Sequence, residues 1–201
     1  MVVRRVMDVV IAGVLFVPVM LVVMALGVVM LVVNGRPVFY LSRRIGRSGR
    51  EFSCIKLCTI GEYEGKTTTL DFRALANANI LPMGIFLRDH GFDELPQLIN
   101  ILLGHMSFVG PRPLMPRSFE RIRQCNVDQS DWVRAWVDWR LQVTPGLSGW
   151  HQTRSACNDM IHYDLEYLRD PSFIRHLQVF AVSVRILMVG KKRHFGWVSA
   201  P

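Results

Sequence analysis

Between Val9 and Val33 the chain reads VVIAGVLFVPVMLVVMALGVVMLVV, 25 residues without a charge. As a helix rising about 1.5 Å per residue the run extends about 37 Å, more than the hydrocarbon thickness of a bilayer. A helix that is apolar on every side needs lipid or the middle of a large core. The 201 residues of this chain build one ordinary domain, with no second core to enclose such a helix. The run is therefore expected in a membrane. It is too long for the apolar part of a cleaved leader and ends in Asn34-Gly35-Arg36-Pro37 instead of a small-residue cleavage motif, so it is expected to stay attached.

Pro18 removes a backbone donor within the run and bends the helix. Arg4 and Arg5 precede the segment, Arg36, Arg43, Arg44, Arg47 and Arg50 follow it, and residues 34–50 contain no acid. Arginine-rich flanks mark the cytoplasmic side, and here both flanks carry that mark. A plain span and a bent, re-entrant helix are both open on these features. The natural division is a membrane-anchoring helix over residues 1–34 and a polar domain over residues 35–201.

That domain reads as α+β, compact and mostly helical. PVFYL and EFSCIKLCTI flank the turn RRIGRSGR, the pattern of a short β-hairpin within residues 37–60. Residues 61–79 read as loop with a little helix. In residues 93–103, Leu95, Leu98, Ile99, Leu102 and Leu103 recur at i, i+3, i+4, i+7 and i+8, an amphipathic helix with Asp93 at or near its N-cap and Gly104 at its end. A helix over residues 116–140 would place Trp132, Trp136 and Trp139 on one face, read here as core in preference to a bilayer interface. Phe173, Leu177, Phe180, Val184, Leu187 and Met188 recur at helical spacing ahead of Lys191, Lys192 and Arg193, which suits a helix lying on a membrane or one packed on the core. Cys54, Cys58, Cys125 and Cys157 show no paired CxxC spacing, so free thiols are expected.

The net charge of +8, from 24 Lys and Arg against 16 Asp and Glu, suits an anionic membrane surface, a phosphorylated ligand or a polyanion. No recognition helix, RNA-binding sheet motif or zinc module accompanies it, so nucleic acid is not an expected partner. The adjacent acids Asp93 and Glu94 have an ordinary reading as cap and macrodipole complement at a helix start. The same position suits phosphate chemistry: two neighbouring carboxylates can share a magnesium ion, and an ionised aspartate can attack phosphorus. Arg88 lies five residues before Asp93, Arg112 stands between Pro111 and Pro113, and Lys56 ends a strand, so cations could gather around a diphosphate. TPGLSGW, residues 144–150, supplies a rigid turn of the kind that walls a pocket and is followed by Arg154.

FDELPQLINILLGHMSFVGPRPL, residues 92–114, closely resembles the signature stretches of the bacterial sugar transferases, the small monotopic polyprenyl-phosphate phosphoglycosyl transferases. PGLSGW is similar to that family's Pro-Gly-Ile-Thr-Gly element, and IKLCT, HYDLEYL and the apolar helix with its internal proline fall in family order, so the resemblance covers almost the whole chain. It implies that Asp93 attacks the β-phosphorus of a UDP-sugar, releasing UMP, and that polyprenyl phosphate then takes the phosphosugar from the carboxylate. Glu94 would work beside Asp93 in handling Mg2+ and the acceptor. Lys56, Arg88, Arg112 and Arg154 would hold phosphate or nucleotide, with Asp164 in the pocket.

The resemblance also implies a re-entrant anchor among membrane lipid, in a bacterial inner membrane with the domain facing the cytoplasm. It leaves open the sugar and whether the chain forms a homo-oligomer. Cys58 stands where the family usually has Arg or Lys, Ile60 where it has Met, His105 where it has an acid, Thr144 where it often has a base, and Val17 where many members have Ser. Such departures would permit a non-catalytic, membrane-anchored scaffold on the same fold. Retention of both Asp93 and Glu94 favours the enzyme, because a cap needs only one of them.

Overall fold

The computed structural model describes residues 2–35, 37–61, 80–125, 131–149, 164 and 173–190. Helix α1, Val2–Asn34, runs without interruption through Pro18, which has no N–H to offer the carbonyl of Val14. Gly35, at φ +75°, ends it in the left-handed conformation and donates its N–H to Leu31 O at 3.1 Å. By length and composition α1 could cross a membrane.

Although almost every side chain of α1 is apolar, the helix has two unlike faces. Ala12, Phe16, Met20, Val23 and Met30 pack inward on the domain. Val10, Val14, Val17, Leu21, Val28 and Val32 stand exposed. Both ends are attached to the same body. Arg5 donates to the carbonyls of Ile101 and Leu102 at 2.5 and 2.8 Å, and Asp8 accepts from the N–H of Phe108 at 3.1 Å. Toward the other end, Met30 packs in one cluster with Leu57, Cys58 and Leu87.

The expected hairpin is present. β1, Phe39–Ile45, and β2, Glu51–Leu57, pair antiparallel from Phe39↔Leu57 to Ile45↔Glu51. Phe52 and Cys54 of β2 turn into the core while Glu51 and Ser53 face out, the period of two that strands impose. Helix α2, Gly84–His90, ends at Gly91 in the left-handed conformation, a 3-10 turn covers Phe92–Gln97, and helix α3 covers Leu98–Leu102. The α-helix expected over residues 93–103 thus opens as a tighter turn. Pro96 cannot close an α-helical bond, and its ring crowds the preceding turn.

Two three-residue strands, β3 at Ser107–Val109 and β4 at Gly146–Ser148, pair in parallel where the sequence suggested only a rigid turn. Their close approach needs glycine: a Cβ on Gly146 would lie 2.1 Å from the backbone N of Gly110. Within the helix expected over residues 116–140, the described parts are α4, Pro116–Cys125, and α5, Asp131–Gln142, and residues 126–130 lie outside the described residues. Trp136 is fully buried, as the core reading required, and Trp139 packs beside it.

Helix α6, Phe173–Val189, buries Val179 and Ile186, with Val179 against Val109 of β3. Leu177, Val184 and Met188, half of the stripe expected to act together, face away from the domain. The helix thus packs on the core through Val179 and Ile186, which lie off the expected stripe. The basic end at residues 191–193, the loop at residues 62–79 and Arg154 lie outside the described residues.

Candidate active site

The turn geometry decides which of its side chains work together. At about three residues per turn, positions three apart eclipse. Glu94 therefore stands over Gln97 and Asp93 over Pro96. Asp93 is 8% exposed and lies in the first turn, with Gly91 at the cap position, so its carboxylate does not cap the turn.

Glu94 faces β2. Its Oε1 accepts from Lys56 Nζ at 2.7 Å and lies 3.8 Å from Arg112 Nη2. Lys56 reaches it because β2 places residue 56 on the same side as Cys54, and both line one cleft. Glu94, Gln97, Arg44, Arg112, Pro113, Gly146 and Leu147 complete the wall. Asn100 sets the distance between turn and strand: its Oδ1 accepts from Ile55 N at 3.1 Å and its Nδ2 donates to Ser53 O at 2.8 Å, occupying the outer edge of β2.

The Pro-Arg-Pro segment is held through its carbonyls. Pro111 and Pro113 have no N–H, and the oxygens of residues 111–114 are each taken by a donor from elsewhere: Gly146 N on Pro111 at 2.9 Å, Arg140 on Arg112, Arg44 on Pro113 at 3.1 Å, and Ile45 N on Leu114 at 2.8 Å. The Arg112 backbone is fixed while its side chain stays 39% exposed. Arg140 is itself buried, stacks over Trp136 at 4.9 Å and pairs with Asp164, which also accepts from the Trp136 indole at 3.2 Å. Burial pushes the Asp164 carboxyl up to about 6, against the opposing pull of Arg140 and the hydrogen bonds from Trp136 and Arg140.

Lys56, Glu94 and Arg112 thus meet, with Asp93 next in the chain. Arg88 donates to Thr59 Oγ1 at 2.8 Å from α2. Asp164 stands behind Arg112, joined to it through Arg140.

Three participants escaped the sequence reading. Arg44 lines the cleft and has its basicity lowered, first by burial and then by the like charge of Arg112. It sat among five flanking arginines that all read as membrane signals. Gln97 and Asn100 lie within the signature stretch of residues 92–114, but the stretch did not say which partners they would face.

Among the described residues no group of three or more His, Cys, Asp or Glu gathers, so the protein offers a magnesium ion the Asp93–Glu94 pair, and the remaining ligands would be water and substrate oxygens, the usual arrangement for this ion.

Residues 1–190 match the bacterial sugar transferase family, and the chain belongs to it. It is 32% identical over 161 residues to a UDP-glucose:undecaprenyl-phosphate glucose-1-phosphate transferase of Xanthomonas campestris pv. campestris, covering 75% of this chain and 32% of that protein. Over 195 residues it is 32% identical to the exopolysaccharide production protein ExoY of Rhizobium meliloti, covering 89% of this chain and 79% of that one. A third relative is an undecaprenyl-phosphate galactose phosphotransferase of Salmonella typhimurium, 32% identical over 71% of this chain and 30% of its own length. The chain spans about a third of the length of several curated relatives it matches.

Proposed function

We propose that this protein transfers a phosphosugar from a UDP-sugar to polyprenyl phosphate, releasing UMP and forming a polyprenyl-diphosphate sugar. The observation that carries the reading is the Glu94 carboxylate held between Lys56 and Arg112 next to a buried aspartate. Asp93 attacks the β-phosphorus, the bond to UMP breaks with its electron pair leaving on UMP, and the phosphosugar stays on the carboxylate. A phosphate oxygen of the lipid acceptor then attacks the same phosphorus and restores the aspartate. Arg112, with its backbone fixed and its side chain partly exposed, binds the diphosphate; Lys56 holds the Glu94 carboxylate beside it. Arg88 and Arg154 are assigned to phosphate or nucleotide binding, and Asp164 acts through Arg140 on the Arg112 segment. A magnesium ion, bound by Asp93 and Glu94, would neutralise charge on the departing phosphate.

The outward valine face of α1 belongs in lipid. Both ends of that helix pack on one folded body, which supports an anchor that enters and leaves on the cytoplasmic face of the inner membrane in preference to a span. The direct test is UMP release by the protein in nanodiscs, given undecaprenyl phosphate and a panel of UDP-sugars. Release with at least one sugar, lost on adding EDTA, is expected; silence across the panel contradicts the reading.

A further inference from the structure

Gln97 carries a donor that the folded chain leaves unused. The residue is 2% exposed, and its Nε2 is fully buried without a hydrogen-bond partner. A buried donor left unmade is costly, and native structures rarely keep one except where something else supplies the acceptor. Gln97 lies in the wall of the same cleft as Lys56, Arg44, Glu94 and Arg112, eclipsed with Glu94 by the turn. The nearby Glu94 Oε1 is already shared by Lys56 and Arg112.

We infer that Gln97 is a substrate-binding residue whose side-chain amide donates to a phosphate oxygen of the UDP-sugar diphosphate. This rests on reading the cleft as the phosphoryl-transfer site. Charge singles out phosphate among the acceptors a nucleotide sugar offers. Arg44, Lys56 and Arg112 bring three cations to the wall of one cleft. An amide adds what those cations lack: a neutral donor at a fixed point that orients the diphosphate without attracting Glu94 away from Lys56.

The test uses the full chain in nanodiscs, with UDP and uridine as probes in calorimetry and with ligand-free thermal melts. Gln97→Met keeps the length and removes the donor; Gln97→Glu keeps the shape and replaces the donor with an anion. UDP affinity should fall about tenfold or more in Gln97→Met, which is about 1.4 kcal/mol at least, and further in Gln97→Glu, while uridine binding stays as in wild type. Ligand-free melting of Gln97→Met should be unchanged or raised, because an unsatisfied donor has been removed.

A structural role gives the opposite pattern: melting falls in Gln97→Met, and the isosteric Gln97→Glu is the milder change. Wild-type UDP affinity in Gln97→Met would mean that an ordered water satisfies the amide, and would overturn the inference while leaving the transfer reaction standing. Absence of both UDP binding and UMP release in the wild type would overturn the transferase reading and this inference together.

Discussion

Glu94 is held by two cations of different standing, and the difference predicts two different outcomes. Lys56 and Glu94 are mostly shielded, with 15% and 18% of their side chains exposed, so Lys56→Met strands a carboxylate that water reaches poorly. Breaking a fully buried pair costs about 3–5 kcal/mol. Arg112 remains 3.8 Å away and offsets part of that, so a loss of about 1–3 kcal/mol is expected, read as a lower melting temperature. Arg112→Ala removes a side chain 39% exposed, and its effect on stability should stay within about 1 kcal/mol. Its effect on UMP release should be a fall of about 100-fold or more in kcat, as for other donors aimed at developing charge. Equal effects of the two variants on stability would contradict this division. The residue-scale chemistry was the most legible part of the sequence: the spacing of Asp93, Glu94 and Arg112 with their prolines carried the family resemblance. Gln97 and Asn100 belong to the same signature stretch, but their contacts, like those of Arg44, depend on what lies across from them and not on neighbours in the chain.

Elements show where periodicity informs and where it cannot. The hairpin was readable because Gly and Arg punctuation separated two apolar runs, as observed at β1 and β2. The two faces of α1 were not, because a stripe is visible only against polar residues and this segment has none between Val9 and Val33. The segment Phe92–Gln97 kept the helical position but is wound as a tighter turn, with Pro96 inside it. β3 and β4 are three residues each, too short to show an alternation. The pairing of α5 with Asp164 yields a test in pH. The Asp164 carboxyl takes up its proton near 6 in the folded chain and near its ordinary 3.8 in the unfolded one. Between those values the folded state binds more protons, so this group favours folding increasingly as pH falls from about 6 to about 4. Thermal melts across that window should show wild type gaining on Asp164→Asn as the pH is lowered. A constant gap between the two would contradict the shift.

At the scale of the whole molecule, the domain and its anchor form one unit: the inward face of α1 belongs to the same core clusters as β2, α2 and α3. Apolar surface stands exposed on the far side of α1, at Val14, Val17 and Val32, and on α6 at Met188. If both ends of the anchor face the cytoplasm, Val2→Cys and Ser48→Cys should each be shielded from an impermeant thiol reagent in intact cells and labelled after lysis. Labelling at position 2 alone in intact cells would establish a span. The central claim concerns the bond made at Asp93. Mixing the nanodisc-held protein with a UDP-sugar that supports UMP release and magnesium, without polyprenyl phosphate, and then measuring intact mass should reveal one phosphosugar per chain, absent in Asp93→Asn and discharged on adding the lipid acceptor. An unmodified mass while UMP release needs both substrates together, or an adduct that persists in Asp93→Asn, would contradict it.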